Sequence, residues 1–183
     1  MSESEKYLHM TKPYLSGNGV DCGSGGWPVV PWAIQVELPG HLFKHYTGRD
    51  IPETIEWQGD IASLPFKDGT LDFVYASHLI EDFPRDEIPN HPKRYNWPML
   101  FREWRRVLKP GGNLICLVPE FHRWKKTIEL GQVPNCSHEA PEPLLGDMTR
   151  VMTACGFMVL FERMTNLDWR DYSILAVAVK PNG

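Results

Sequence analysis

The sequence lacks most of the features that mark specialised protein classes. It has no apolar run approaching the ~20 residues that a membrane helix needs. Its first residues, MSESEKYLHM, contain no apolar segment of the kind that directs secretion. The expectation is a cytoplasmic protein with no membrane association. Cysteine is scarce, and Cys22, Cys116, Cys136 and Cys155 form no C-x-x-C pair. That spacing excludes a disulfide scaffold and predicts reduced thiols. A zinc site on Cys136 and His138 would need a distant partner, and lone C-x-H matches arise readily by chance, so no metal is expected. Basic charge is not in excess either. Lys plus Arg is 19 against 23 Asp plus Glu, a net charge of −4, which argues against a general nucleic-acid or membrane-surface binder. There are no internal repeats. The 42% hydrophobic share then excludes wholesale disorder, and 183 residues suffice for one core but not two.

Four short apolar runs predict strands: 71–76 (LDFVYA), 113–118 (NLICLV), 157–161 (FMVLF) and 174–179 (ILAVAV). Runs this continuous predict a sheet covered on both faces. Two helices are predicted. Over 98–108, Leu100, Phe101, Trp104, Val107 and Leu108 share one face, Pro98 suits the first turn, and Lys109-Pro110-Gly111-Gly112 ends the helix. Over 144–155, Leu144, Leu145, Met148, Val151, Met152 and Cys155 share a face, with Gly156 beyond the end. Strands alternating with helices predict an α/β layered sheet. The last two strands, joined by about ten polar residues, are expected to pair antiparallel, because a parallel crossover needs a dozen or more. Two Pro-rich stretches, 84–98 and 119–143, read as loops, and loops of that length in a compact domain are often binding surfaces.

The main chemical feature is the run Gly19-Val20-Asp21-Cys22-Gly23-Ser24-Gly25-Gly26. Bare Cα atoms let the backbone take φ > 0 and come close to a ligand. In open α/β sheets such a bend lies at the carboxyl ends of the strands, where nucleotides bind. A flexible surface turn is the alternative. The next apolar run, Ala33-Ile34-Gln35-Val36, ends in Glu37, whose carboxylate can accept two hydrogen bonds from a ribose diol or can be a solvated strand-end charge. A third run, Thr54 to Gly59, ends in Asp60, a candidate acceptor for the exocyclic amine of adenine. The ordered series of glycine bend, Glu37 and Asp60 is more specific than any member alone.

These residues resemble the class I S-adenosylmethionine-dependent methyltransferases, in the branch called type 11. The resemblance rests on VDCGSGG (20–26), AIQVEL (33–38), GDIASLPFKDGTLDFVYASHLIEDF (59–83) and LFREWRRVLKPGGNLICLVPE (100–120). It implies a Rossmann-like three-layer sandwich over a single domain, 1–183. Its mostly parallel sheet has seven strands and an antiparallel last strand, and a short extension, 1–16, precedes it. It also implies roles. Asp21, Gly23 and Gly25 would frame the methionine part of S-adenosylmethionine, with Cys22 and Ser24 beside them. Glu37 and Leu38 would hold the ribose, Asp60 and Ile61 would read adenine, and Ser77 and His78 would face the sulfonium and the acceptor. Tyr95, Glu120, His122 and Trp124, in the two variable loops, would line the acceptor site. S-adenosylhomocysteine would be the product.

The sequence departs from the family pattern in one place. The position of the usual third glycine holds Trp27, and only eleven residues, including Pro28 and Pro31, separate Gly25 from Glu37. A shortened or absent first crossover helix follows. The leading expectation is an enzyme that methylates a small-molecule or glycan-type acceptor, with His78 either the candidate base or a helix-start packing residue near the cofactor, and Glu81 and Asp82 either orienting it or solvated. A non-catalytic cofactor-binding partner subunit is the second reading. An NAD(P)-dependent oxidoreductase is a third, disfavoured because G-S-G-G is not G-x-G-x-x-G and Glu37 lies only 14 positions beyond Gly23. Arg102, Arg105, Arg106 and Lys109 read as a solvated helix face, so no nucleic-acid partner is expected, while a homodimer is open.

Overall fold

The structure, a computed structural model, describes residues 3–89, 95–131, 138, 143–165 and 173–182. Two short helical turns, α1 (Glu3–Lys6) and α2 (Leu8–Thr11), and a 3-10 turn (Lys12–Tyr14) lead into β1 (Gly19–Cys22) and β2 (Ile34–Glu37). Then follow α3 (Gly40–Thr47), β3 (Trp57–Gln58), β4 (Leu71–Ser77), α4 (Trp97–Val107), β5 (Leu108–Pro119), α5 (Phe121–Glu129), α6 (Asp147–Ala154), β6 (Met158–Met164) and β7 (Ser173–Val179). The seven strands form one sheet in the order β3-β2-β1-β4-β5-β7-β6, with β7 antiparallel to both neighbours and the other strands parallel. Chain direction across the sheet reverses between β1 and β4. That reversal opens a crevice at the carboxyl ends of the two strands, the place where open α/β sheets hold ligands.

Both faces of the central strands are buried, as their uninterrupted apolar runs predict. On one face Val20, Val74, Ala76, Leu114 and Cys116 meet Leu100, Phe101, Trp104 and Val107 of α4 and Met148, Val151 and Met152 of α6. On the other face no helix follows β1. Residues 27–33 form a loop, as the short crossover requires, and Val29, Val30 and Ala33 of this loop cover Phe73 and Tyr75 together with Tyr7 and Leu15. The N-terminal extension thus helps to cover the face that a crossover helix would otherwise shield.

Four local expectations are corrected. The helix expected from Leu144 starts at Asp147, and Leu144 and Leu145 are exposed. Gly146, at φ 101°, breaks the chain there, and the Asp147 carboxylate accepts the Leu144 N–H at 2.9 Å. The 119–143 stretch contains α5, capped by Glu120, whose Oε2 accepts the Arg123 N–H at 3.0 Å. Trp97 belongs to α4 and is buried, its Nε1–H donating to the Ile80 carbonyl at 2.6 Å. The 157–161 run lies in an edge strand, so Met158 and Leu160 face outward instead of being covered. The C-terminal stop of α6 is as expected. Gly156 sits at φ 83°, and Phe157 N–H donates to Met152 O at 3.0 Å, satisfying an end carbonyl.

The amino end of α4 is held by Asn96, whose side chain accepts the Met99 N–H at 3.0 Å. Asn96→Ala is expected to cost about 1 kcal/mol of stability, read as a lower urea midpoint at unchanged m-value. The basic residues of the same helix and of the start of β5 are all engaged. Arg106 bridges Glu103 and Asp68, Arg102 reaches Glu87, and Lys109 reaches Asp72, while Arg105 donates to Gly156 O. Among the described residues no helix is long and apolar enough to cross a membrane.

Candidate functional site

The glycine bend leaves β1 with Gly23 at φ 75°, Gly25 at 62° and Gly26 at 92°. A Cβ on Gly26 would lie 2.6 Å from Pro52 Cγ, so the loop before β3 closes directly over the bend and tolerates no side chain there. Gly25 N–H donates to Glu37 Oε1 at 2.5 Å, and Glu37 Oε2 accepts the Leu38 N–H at 3.3 Å. The Glu37 carbonyl accepts the Gly59 N–H at 2.8 Å, one residue before Asp60. A continuous set of bonds therefore draws the bend and both acidic strand tips to one edge of the sheet. Burial pushes the Glu37 carboxyl above its ordinary value. The Gly25 and Leu38 N–H groups and the Arg49 guanidinium oppose that rise.

Asp60 is tied locally. Its Oδ1 accepts the Ala62 N–H at 2.7 Å, and its Oδ2 accepts the Tyr95 hydroxyl. Tyr95, expected near the acceptor, is thus brought to Asp60. Ile61 is buried and its carbonyl accepts the Trp104 Nε1–H at 3.0 Å, fixing the loop after β3 to α4. Each carboxylate has about four lone-pair sites, so Glu37 and Asp60 keep acceptor capacity beyond these local bonds. Two carboxylates beside a bare bend suit a ligand that presents hydroxyl and amine donors, which is the chemistry of an adenosine. The residues fit such a cofactor.

Two residues of the β1 end are turned inward. Cys22 is fully buried in the helix-covered face, and burial raises its thiol well above the ordinary range. Asp21 is also buried, and its Oδ2 accepts the Val29 N–H at 2.6 Å, pinning the crossover loop. Burial pushes its carboxyl up to about 8. The Val29 bond lowers it against this, and the nearby Glu37 charge adds to the rise. A carboxyl with a raised folded-state pKa holds its proton more tightly in the folded chain than in the unfolded one. Its contribution is fully present below the ordinary value of 3.8 and is lost as pH rises through about 8. Asp21→Asn keeps an acceptor for Val29. It is expected to remove that decline, seen as a melting temperature that varies less between pH 4 and pH 8. Ser24 Oγ donates to Gln35 Oε1 at 2.9 Å and accepts the Gly26 N–H at 3.3 Å, so it braces the bend itself.

Beside β1, β4 ends in Ser77, and His78 follows it. Cys22 and Ala76 are register partners on parallel strands, so Ser77 comes level with Gly23, where the glycine bend begins. Among the described residues His78 is the one non-glycine residue with positive φ, at 52°. Left-handed backbone at such a residue is costly and collects at functional sites. Its N–H donates to Leu117 O at 2.9 Å, and its Nε2 lies 3.1 Å from Ser173 Oγ on β7. Its Nδ1 lies 3.5 Å from Oε1 of Glu81, a buried residue in the 3-10 turn Ile80–Asp82. Of the remaining expected acceptor residues, Glu120 caps α5, His122 is exposed against Phe121, and Trp124 is buried with its ring 4.7 Å from that of His138. Cys136 lies outside the described residues.

Sequence reasoning missed Ser173 and Arg49. Neither carried a signal: Ser173 opens an apolar strand 95 positions from His78, and Arg49 is an exposed loop residue. Arg49 stands 5.0 Å from the Trp27 ring centre, so the residue in place of the third glycine is held by a cation beside the bend.

Residues 31–116 match a family model described as a methyltransferase domain. Over 95 residues the chain is 36% identical to the mitochondrial 2-methoxy-6-polyprenyl-1,4-benzoquinol methylase of Dictyostelium discoideum. That alignment covers 51% of this chain but only 23% of that protein. Over that segment the chain is similar to methyltransferases. Solved structures share the fold. A methyltransferase from Thermotoga maritima covers 97% of this chain and 89% of its own at 19% identity and a TM-score of 0.65. Human N-acetylserotonin methyltransferase, solved with S-adenosylmethionine, covers 98% of this chain and 52% of its own at 12% identity and a TM-score of 0.65.

Proposed function

We propose that this methyltransferase domain, taken over residues 1–183, binds S-adenosylmethionine at the carboxyl edge of β1, β2 and β3. It transfers the methyl group by in-line displacement to a small-molecule or glycan-type acceptor and releases S-adenosylhomocysteine. The observation that carries this reading is the bonded series from Gly25 through Glu37 to Gly59, which sets two carboxylates beside a bare bend. Glu37 accepts from the ribose hydroxyls, with Leu38 alongside. Asp60 accepts from the adenine amine beside Ile61. Gly23 and Gly25 approach the methionine part, while Asp21, Cys22 and Ser24 shape the bend from beneath. The bound cofactor supplies a methyl group already activated by its sulfonium. The protein's own task is to orient the acceptor and receive any proton it loses, and His78 is the group for that proton.

The acceptor approaches from the β4 and β5 side, past His78 and Trp124. The benzoquinol methylase acts, by its name, on a ring, and a hydroxylated ring is the first acceptor class to assay here. Calorimetry with S-adenosylhomocysteine and with NAD tests the reading. Binding of S-adenosylhomocysteine with no binding of NAD is expected. Tight NAD binding without S-adenosylhomocysteine would overturn it.

A further inference from the structure

The strained His78 does not stand alone. Its two ring nitrogens meet groups from two other elements: Glu81 from the 3-10 turn after β4, and Ser173 from the head of β7. Glu81 is 2% exposed, and among the described residues its Oε2 has no hydrogen-bond partner. Its Oε1 also lies 3.9 Å from Nε2 of the buried His138, whose ring rests on Trp124. Asp82 shares its turn, and the Cys116 thiol on β5 is raised by burial and, beyond that, by the charge of Glu81. Among the described residues the ion-pair partners of Glu81 are these two imidazoles, and none is a Lys or Arg. An ionised carboxylate taken out of water must be compensated by nearby donors.

We infer that Glu81 is a positioning residue that holds His78 as its Nδ1–H tautomer and leaves Nε2 as the proton-accepting atom of the site. This rests on the reading of His78 as the group that takes the acceptor's proton. With Nδ1–H directed at Glu81, the lone pair lies on Nε2, and the Ser173 hydroxyl donates to it at rest. A proton leaving the acceptor goes to Nε2 in place of the Ser173 hydrogen bond. The imidazolium so formed sits beside the Glu81 carboxylate, which balances its charge. The left-handed backbone of His78, locked by its N–H to Leu117 O, fixes the ring between the two partners. His138, on the other side of Glu81, places a second imidazole nitrogen 3.9 Å from the same carboxylate oxygen.

Nitrogen-15 NMR of the histidine side chains tests the arrangement without knowledge of the acceptor. In the intact protein at high pH, His78 is expected to carry its proton on Nδ1. In Glu81→Gln, which keeps shape and removes charge, the His78 titration midpoint is expected to move about one pH unit lower, a tenfold loss of proton affinity. A His78 proton on Nε2 in the intact protein overturns the inference, and so does an unmoved midpoint in a folded Glu81→Gln. The first readout needs no variant and survives if Glu81→Gln fails to fold. S-adenosylhomocysteine binding, measured in parallel, separates the two ideas. Its absence from the intact protein counts against the function, while a wrong tautomer with binding retained counts only against Glu81.

Discussion

Glu37→Ala is expected to weaken S-adenosylhomocysteine binding by about 1–3 kcal/mol, roughly tenfold to a hundredfold. Two effects act in the same direction. The variant removes the acceptor proposed for the ribose hydroxyls. It also releases the Gly25 N–H, which Glu37 Oε1 holds at 2.5 Å, so the bend loses the bond that sets its distance from β2. Glu37→Gln separates them. Its amide oxygen can still take the Gly25 N–H, but it lacks charge and offers one acceptor atom instead of two. An intermediate loss is expected for Gln and the full loss for Ala, measured by calorimetry on protein whose melting temperature is also recorded. Removing a carboxylate raised by burial should not unfold the chain. An unchanged dissociation constant in a folded Glu37→Ala would mean that the ribose lies elsewhere.

The parts of this fold that the sequence discloses are those where local chemistry and tertiary placement agree. Apart from Asp72, the 71–76 and 174–179 runs are apolar because β4 and β7 are covered on both faces, so composition alone reveals them. Glu37 and Asp60 are legible because each ends a strand run and both follow the glycine bend in order. Where local and tertiary signals diverge, the sequence misleads. Leu144 and Leu145 extend the periodicity of α6, yet the turn at Gly146 places them outside the helix and exposed. Phe121, Trp124 and Ile128 repeat at helical spacing behind the cap Glu120, but flanking prolines mask the signal of α5. Among the described side chains of α3, Phe43 is the one buried in the core, and a single anchor leaves no period to detect. The contacts of His78 are the least legible. Glu81 is three residues away, but Ser173 and His138 reach the site only through the path of β7 and the chain after α5.

Trp104→Ala is expected to destabilise the domain by about 3–5 kcal/mol, a large part of the ~5–15 kcal/mol that holds such a domain together. Trp104 is fully buried on α4, its ring centre 5.8 Å from that of Phe101, and the space it fills lies under Ile61 and the sheet. Its indole N–H also donates to the Ile61 carbonyl at 3.0 Å. The residue thus joins the main core to the loop that presents Asp60. Trp104→Phe retains most of the apolar volume but leaves that buried carbonyl without its donor, a cost of about 1–3 kcal/mol. Urea unfolding should therefore rank the variants Ala, Phe and intact protein in rising order of stability. Phe should further weaken S-adenosylhomocysteine binding while the fold persists, because the 60–64 loop loses its tie to α4. A Phe variant with reduced stability and undiminished cofactor affinity would show that Asp60 is held by its bonds to Ala62 and Tyr95 alone.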